Sequence, residues 1–133
     1  MITVEVTADT ARPTVKLTKP KRLKSVRAWK RLKGKASDVD GTGVRNVKVR
    51  IVEKRHGRWF AYKAPTRTWV RGGSTKATAF KRSRPAKVVP VDGVWRYRVA
   101  GLRKGSLVVK VKGTDNVGNP SKARTYSQLL SRR

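Results

Sequence analysis

Valine and leucine alternate with lysine and arginine along much of this chain, and that alternation is the strongest constraint on its fold. In "VKVRI", Val47, Val49 and Ile51 fall on one side and Lys48 and Arg50 on the other. A period of two residues belongs to an extended strand with one apolar and one solvated face. The same pattern sets Leu32, Gly34 and Ala36 against Arg31, Lys33 and Lys35 in "WKRLKGKASD". It sets Trp95, Tyr97 and Val99 against Arg96 and Arg98, and Leu107, Val109 and Val111 against Val108, Lys110 and Lys112. Shorter strand candidates are "PTVKL", "RWFAY" and part of "KARTYSQLL", while no run stands out at helical spacing. Glycine-containing turns at "DVDGTG", "KRHGR", "VRGGS", "PVDG", "RKG" and "DNVGN" punctuate the strands. The pattern predicts an all-β, antiparallel sandwich of about seven strands. Lys63 to Pro90, dominated by basic and small residues, reads as an elaborated connection with one or two short strands around Trp69 to Val70 and Lys87 to Val91. There is no internal repeat, which predicts one module.

At 133 residues the chain has the length of one domain, able to bury roughly two thirds of its unfolded surface. With 37% hydrophobic residues, including four Trp, three Tyr and two Phe, it is too apolar for a disordered basic tail. The 35 Lys and Arg against 7 Asp and Glu give a net charge of +28, which draws polyanions and also repels itself. Two readings of that charge stand side by side: a solvated basic skin, or a surface for an anionic partner such as teichoic acid, acidic glycan, nucleic-acid phosphate or a membrane surface. No cysteine is present, which excludes disulfides, thiolate metal sites and a Cys nucleophile. No stretch approaches the ~20 apolar residues of a membrane span, so no membrane insertion is expected. The start "MITVEVTADT" reads as no export signal.

"LKGKASDVDGTGVRNVKVRI", then "GRWFAY", then "LVVKVKGTDNVGNPS" together resemble the bacterial Ig-like domains of exported Gram-positive, especially actinobacterial, proteins. Gly34, Ala36 and Asp38 match a Gly-x-Ala-x-Asp strand end; Gly43, Val44, Val47 and Val49 match a Gly-Val-x-x-Val-x-Val strand. Asp115, Gly118 and Asn119 match a closing Ala-x-Asp-x-x-Gly-Asn element, with Gly113 where Ala is usual. "TADTARPTVKLTKP" resembles the seam between tandem modules, so residues 1–10 are expected to be a lead-in from a preceding module, with Thr3 to Ala8 its last strand, and residues 11–133 the Ig-like domain. The resemblance implies an immunoglobulin-like sandwich, a secreted or cell-surface location, a larger parent chain, and a role as spacer or adhesion module without catalysis. A monomer is expected of the isolated domain.

In a sandwich of that topology the third and sixth strands share a sheet, so Lys48, Arg50, Lys110 and Lys112 should line one outer face. The second and fifth strands share the other, with Lys33, Lys35, Arg96 and Arg98 outside it. These eight cations are the candidate polyanion-binding residues. Trp59, Trp95 and Tyr97 are expected in the core; Trp29 and Trp69 fit the alternation least and are the candidates for an exposed stacking surface. Asp38 and Asp40, with Asp115, Asn116 and Asn119, should emerge at one end of the sandwich. They read first as turn-forming residues and second as a weak Ca²⁺ candidate, which the surrounding positive charge opposes. His56, the single histidine, lies in the polar turn "KRHGR" with no nucleophile motif or placed carboxylate pair, so no enzyme activity and no cofactor are expected. Two other readings remain: a basic nucleic-acid-binding protein contacting phosphates without sequence preference, and a phage virion decoration module.

Overall fold

The computed structural model describes residues 12–38 and 43–133, so the expected lead-in strand at Thr3 to Ala8 lies outside the described residues. Strands β1 (Thr14–Leu17), β2 (Arg31–Ser37) and β7 (Val94–Arg98) form a three-stranded antiparallel sheet in the order β1-β2-β7. The facing sheet has six strands: β3 (Val44–Arg55), β4 (Arg58–Lys63), β5 (Thr68–Arg71), β6 (Ala86–Val88), β8 (Gly105–Asp115) and β9 (Arg124–Leu130). Its order is β5-β4-β3-β8-β9, with β6 paired to Val47, Lys48 and Val49 of β3 while β4 pairs further along the same strand. The result is the all-β antiparallel sandwich expected from the alternation. The third and sixth expected strands, β3 and β8, are neighbours, as are the second and fifth, β2 and β7.

Alternation explains which side chains enter the space between the sheets. Leu32 and Ala36 from β2, Val47, Val49 and Ile51 from β3, and Leu107, Val109 and Val111 from β8 are all buried in one cluster with Val15 and Trp95. Such a core holds the sheets together at ~1.5–3 kcal/mol per large side chain. Gly34 has a packing reason: a Cβ there would run into the Lys16 carbonyl and the indole of Trp95. The absent side chain lets the Trp95 indole donate to that carbonyl at 3.1 Å. On the other side of β1, the Leu17 amide donates to the Tyr126 hydroxyl of β9 at 3.1 Å, tying the two sheets together at their edge strands.

The structure corrects several expectations. Trp29 is 1% exposed. It ends a single helical turn, α1 (Val26–Trp29), N-capped by Ser25, and its indole donates to the Leu23 carbonyl at 2.7 Å. Trp69 is half-buried on β5, tilted against Tyr62 at 5.1 Å and donating to the Ala100 carbonyl at 2.7 Å. Neither is a free stacking surface. Trp59 does not join Trp95 in the core: it packs on the outside of the six-stranded sheet, with Lys54 Nζ 5.9 Å from its ring. Tyr97 is half-buried against the core, its hydroxyl 3.3 Å from that of Tyr62.

Within Lys63 to Pro90, β5 and β6 are the short strands expected there, and between them runs a helix that periodicity did not predict, α2 (Lys76–Arg82). Thr75 caps it by accepting from the Thr78 amide at 3.1 Å. Its buried Ala79 and Phe80 cover Val52, Ala61 and Val108 on the outer side of the six-stranded sheet. Replacing Gly34 by alanine should lower stability by about 1–3 kcal/mol through overpacking; urea denaturation of wild type and Gly34→Ala measures it.

Candidate polyanion-binding surface

On the outer face of the three-stranded sheet, cations stand directly opposite cations. The register pairs Lys16 with Lys35, Lys33 with Arg96, and Arg31 with Arg98, and all six side chains are exposed. Neither β1, β2 nor β7 contains an acidic residue. Opposed Cβ atoms in such a ladder are about 4.5–5.5 Å apart, and like charges there destabilise the pairing. Successive rungs repeat every second residue, roughly 6.8 Å along the strand. Beside the last rungs, Arg31, Lys33, Arg96 and Arg98 with Leu32 and Tyr97 line a shallow groove of about 560 Å³. The candidate residues Lys33, Lys35, Arg96 and Arg98 are thus brought together, joined by Lys16 and Arg31.

The outer face of the six-stranded sheet is different because α2 lies on it. Lys48 is opposite Lys112 on one side and Lys87 on the other, and all three are exposed. Lys87 escaped notice because it sits in the segment read as a connection. Arg50 and Lys110 also pair across β3 and β8, but they serve the helix. Arg50 Nη1 donates to the Ser83 carbonyl at 2.8 Å and reaches the Phe80 carbonyl and Ser83 hydroxyl at 3.4 Å. The two carbonyls lie at the C-terminal end of α2, where backbone acceptors lack intrahelical N–H partners, and the Phe80 carbonyl also accepts from the Ser83 hydroxyl at 2.6 Å. Lys110 Nζ lies 4.4 Å from the Phe80 ring centroid, a cation–π contact. Both side chains are half-buried. Of the four cations expected on this face, Lys48 and Lys112 remain free for a ligand.

Asp115 is buried at the end of β8 and organises its own turn. Its Oδ1 accepts from the amides of Val117 at 3.0 Å and Asn119 at 2.7 Å, and its Oδ2 accepts from Asn119 Nδ2 at 3.1 Å. Removal from water pushes its pKa up, but the Asn119 and Val117 donors outweigh this and hold it below the usual 3.8. Arg45 Nη2 donates to the Asn116 carbonyl at 2.7 Å from the neighbouring strand. Asp38 follows β2 and is half-buried, and Asp40 lies outside the described residues. Among the described residues no group of three or more His, Cys, Asp or Glu is placed to hold a metal ion.

A buried ion pair at the far end of β3 went unread in the sequence. Glu53 is 0% exposed, and its Oε1 accepts from Arg55 Nε at 2.6 Å and the Arg103 amide at 3.2 Å. Burial pushes its pKa above the usual 4.5 against the pull of Arg55 and the Arg103 amide. The alternation did signal an inward side chain at this position, since Glu53 continues the face of Val47, Val49 and Ile51. His56 is exposed in the two-residue turn that joins β3 to β4.

Comparison of the chain with protein-family models, with curated proteins and with solved structures returns no match. Among the described residues, no helix is long and apolar enough to cross a membrane.

The two perturbed carboxyls predict opposite effects of pH. Asp115 contributes stability that is present above 3.8 and lost as the pH falls through its lower folded pKa. For Glu53 the folded state holds the proton more tightly, so its contribution is full below 4.5 and is lost as the pH rises through the folded value. Relative to wild type, Asp115→Asn should therefore lose the fall in stability on the acid side, and Glu53→Gln the fall above 4.5. Urea midpoints across that pH range read both slopes.

Proposed function

We propose that this chain is a non-catalytic, immunoglobulin-like accessory module of an exported bacterial protein, acting as a spacer and as an electrostatic tether to anionic polymers of the cell envelope or extracellular matrix. The observation that carries this reading is the uncovered ladder of opposed basic pairs on β1, β2 and β7. A folded domain keeps such repulsion at little benefit to itself, and a polymer whose phosphates or carboxylates lie between the rungs removes it. The immunoglobulin-like part of this reading is supported further by the strand order. In immunoglobulin lettering, β1, β2 and β7 correspond to A, B and E, and β4, β3, β8 and β9 to C′, C, F and G. The three sequence motifs of the Ig-like resemblance fall on β2, β3 and the β8 turn in that order.

The ladder is the principal contact, with Lys48, Lys87 and Lys112 a smaller second patch. Burial of Trp29 and hydrogen bonding of Trp69 favour a diffuse polyanion over a nucleic acid held by base stacking. A polymer bound in this way is recognised by charge density rather than by sequence.

Retention on immobilised teichoic acid at increasing salt tests the reading. Wild-type protein should elute at a defined salt concentration. Replacing both Lys33 and Arg96 by serine should bring elution earlier and make the fall of log K with log salt shallower, because fewer counterions are released. Arg50→Ala should alter retention little while costing about 1–2 kcal/mol of stability through the loss of its bonds at the α2 terminus. Wild-type retention that does not weaken with salt would rule out an electrostatic tether; tighter retention on single-stranded or duplex DNA than on teichoic acid at equal charge would favour the nucleic-acid reading.

A further inference from the structure

At the end of the sandwich away from the Asp115 turn, α1, the β3–β4 hairpin, the loop after β7 and the C-terminal residues surround a cavity of about 570 Å³. Six of its lining residues are cationic: Arg27, Lys30, Arg55, Arg103, Lys104 and Arg133. No acidic residue lines it. Unlike the ladder, it has one cationic side chain, Arg55, and one stretch of lining backbone, at Arg103, held by a buried scaffold.

That scaffold is Glu53. Its single Oε1 fixes the side chain of Arg55 and the backbone of Arg103, two of the lining residues. Arg55 is fixed further by Nη2 donating to the Gly101 carbonyl at 3.0 Å, with its guanidinium 4.5 Å from the Trp69 ring centroid and 5.2 Å from that of Phe60. Gly105, at φ 150°, allows the loop to close on this pair: a Cβ there would run into the Lys54 carbonyl and lie 3.3 Å from side-chain carbons of both Glu53 and Arg55. The opposite wall is pinned by Ser25, whose hydroxyl donates to the Arg133 carbonyl at 2.9 Å, and by the Val26 amide, which donates to the Arg132 carbonyl at 2.7 Å. The Glu53–Arg55 contact is an ion pair at 2.6 Å. Glu53 is thereby offset by Arg55, and among the described residues no acidic side chain lines the cavity beside the other five cations.

We propose that this cavity is a discrete binding site for a compact, multiply charged phosphate-type oxyanion. Its volume falls within the ~300–1,000 Å³ of small-molecule sites, room enough for one multiply charged oxyanion. An arginine held in one orientation presents its remaining N–H donors as a fork suited to phosphate oxygens, and surrounding lysines and arginines complete the neutralisation. The site is separate from the ladder and stands or falls without it.

Calorimetric titration with inorganic pyrophosphate tests the site. Wild-type protein should bind it saturably at one equivalent, with a change in tryptophan fluorescence from Trp69 beside Arg55. Replacing both Arg103 and Lys104 by serine removes two exposed side chains but keeps the Arg103 amide that Glu53 accepts, and should weaken binding about tenfold or more. Arg27→Ser, on the other wall, should weaken it as well. The Lys33→Ser, Arg96→Ser protein carries the same loss of net charge as the first variant and should bind pyrophosphate as wild type does. Non-saturating titration, or equal weakening by the cavity and ladder variants, overturns the proposal and reduces the cavity to bulk charge. Failure here leaves salt-dependent polymer retention untouched, and loss of that retention leaves this titration untouched.

Discussion

Burial of the alternating apolar side chains between the two sheets is the constraint to which the rest of this structure answers, and it holds cations opposite one another across paired strands. Lys33 cannot move away from Arg96, nor Lys16 from Lys35, without breaking the register that buries Leu32, Ala36 and Val15 on the other side of the same strands. A slip of one residue would place the lysines inside and the apolar residues in water. The energies decide the outcome: burial of one large apolar side chain yields ~1.5–3 kcal/mol, whereas an opposed like-charge pair costs on the order of 0.2–1 kcal/mol. The apolar layer therefore fixes the fold, and the cations are held in opposition as its consequence.

The two sheets handle that consequence differently. On the six-stranded sheet, α2 covers part of the face and converts charge into packing: Arg50 ends the helix and Lys110 lies over Phe80. On the three-stranded sheet nothing among the described residues covers the ladder, and its six cations stay in water. A coat that looks uniform in composition is thus uneven in structure, with one face free to meet a ligand and the other partly committed to holding a helix. The end cavity adds a third kind of positive charge, concave and organised by a buried carboxylate.

Long strands were legible in the sequence because their inward residues recur at a period of two against lysines and arginines. Those of β2, β3, β7 and β8 and the pairings between them all follow from it. The turn at Asp115 was also legible, since Asp and Asn beside Gly have few other uses at a strand end. Short elements were not. A seven-residue helix such as α2 offers only Ala79 and Phe80 as apolar contacts, too few to display a period of 3.6. The single turn of α1 hid Trp29 in the same way, so a fully buried indole read as a misfit of the strand pattern. Trp59 was misplaced because alternation assigns faces but does not reveal that the outer face of a sheet has a covering of its own. The cavity was illegible for another reason: its cations come from residues 27–30, 55, 103–104 and 133, and only the closed sandwich brings those segments together.

A double-mutant cycle between Lys33 and Arg96, each replaced by serine singly and together, measures the central interaction directly. Without polymer, the coupling energy from urea denaturation should be repulsive, each single substitution relieving the other residue. With teichoic acid present at low salt, the repulsion should vanish or reverse as anionic groups settle between the two side chains. Coupling near zero in the free protein, or coupling that polymer leaves unchanged, would contradict the account.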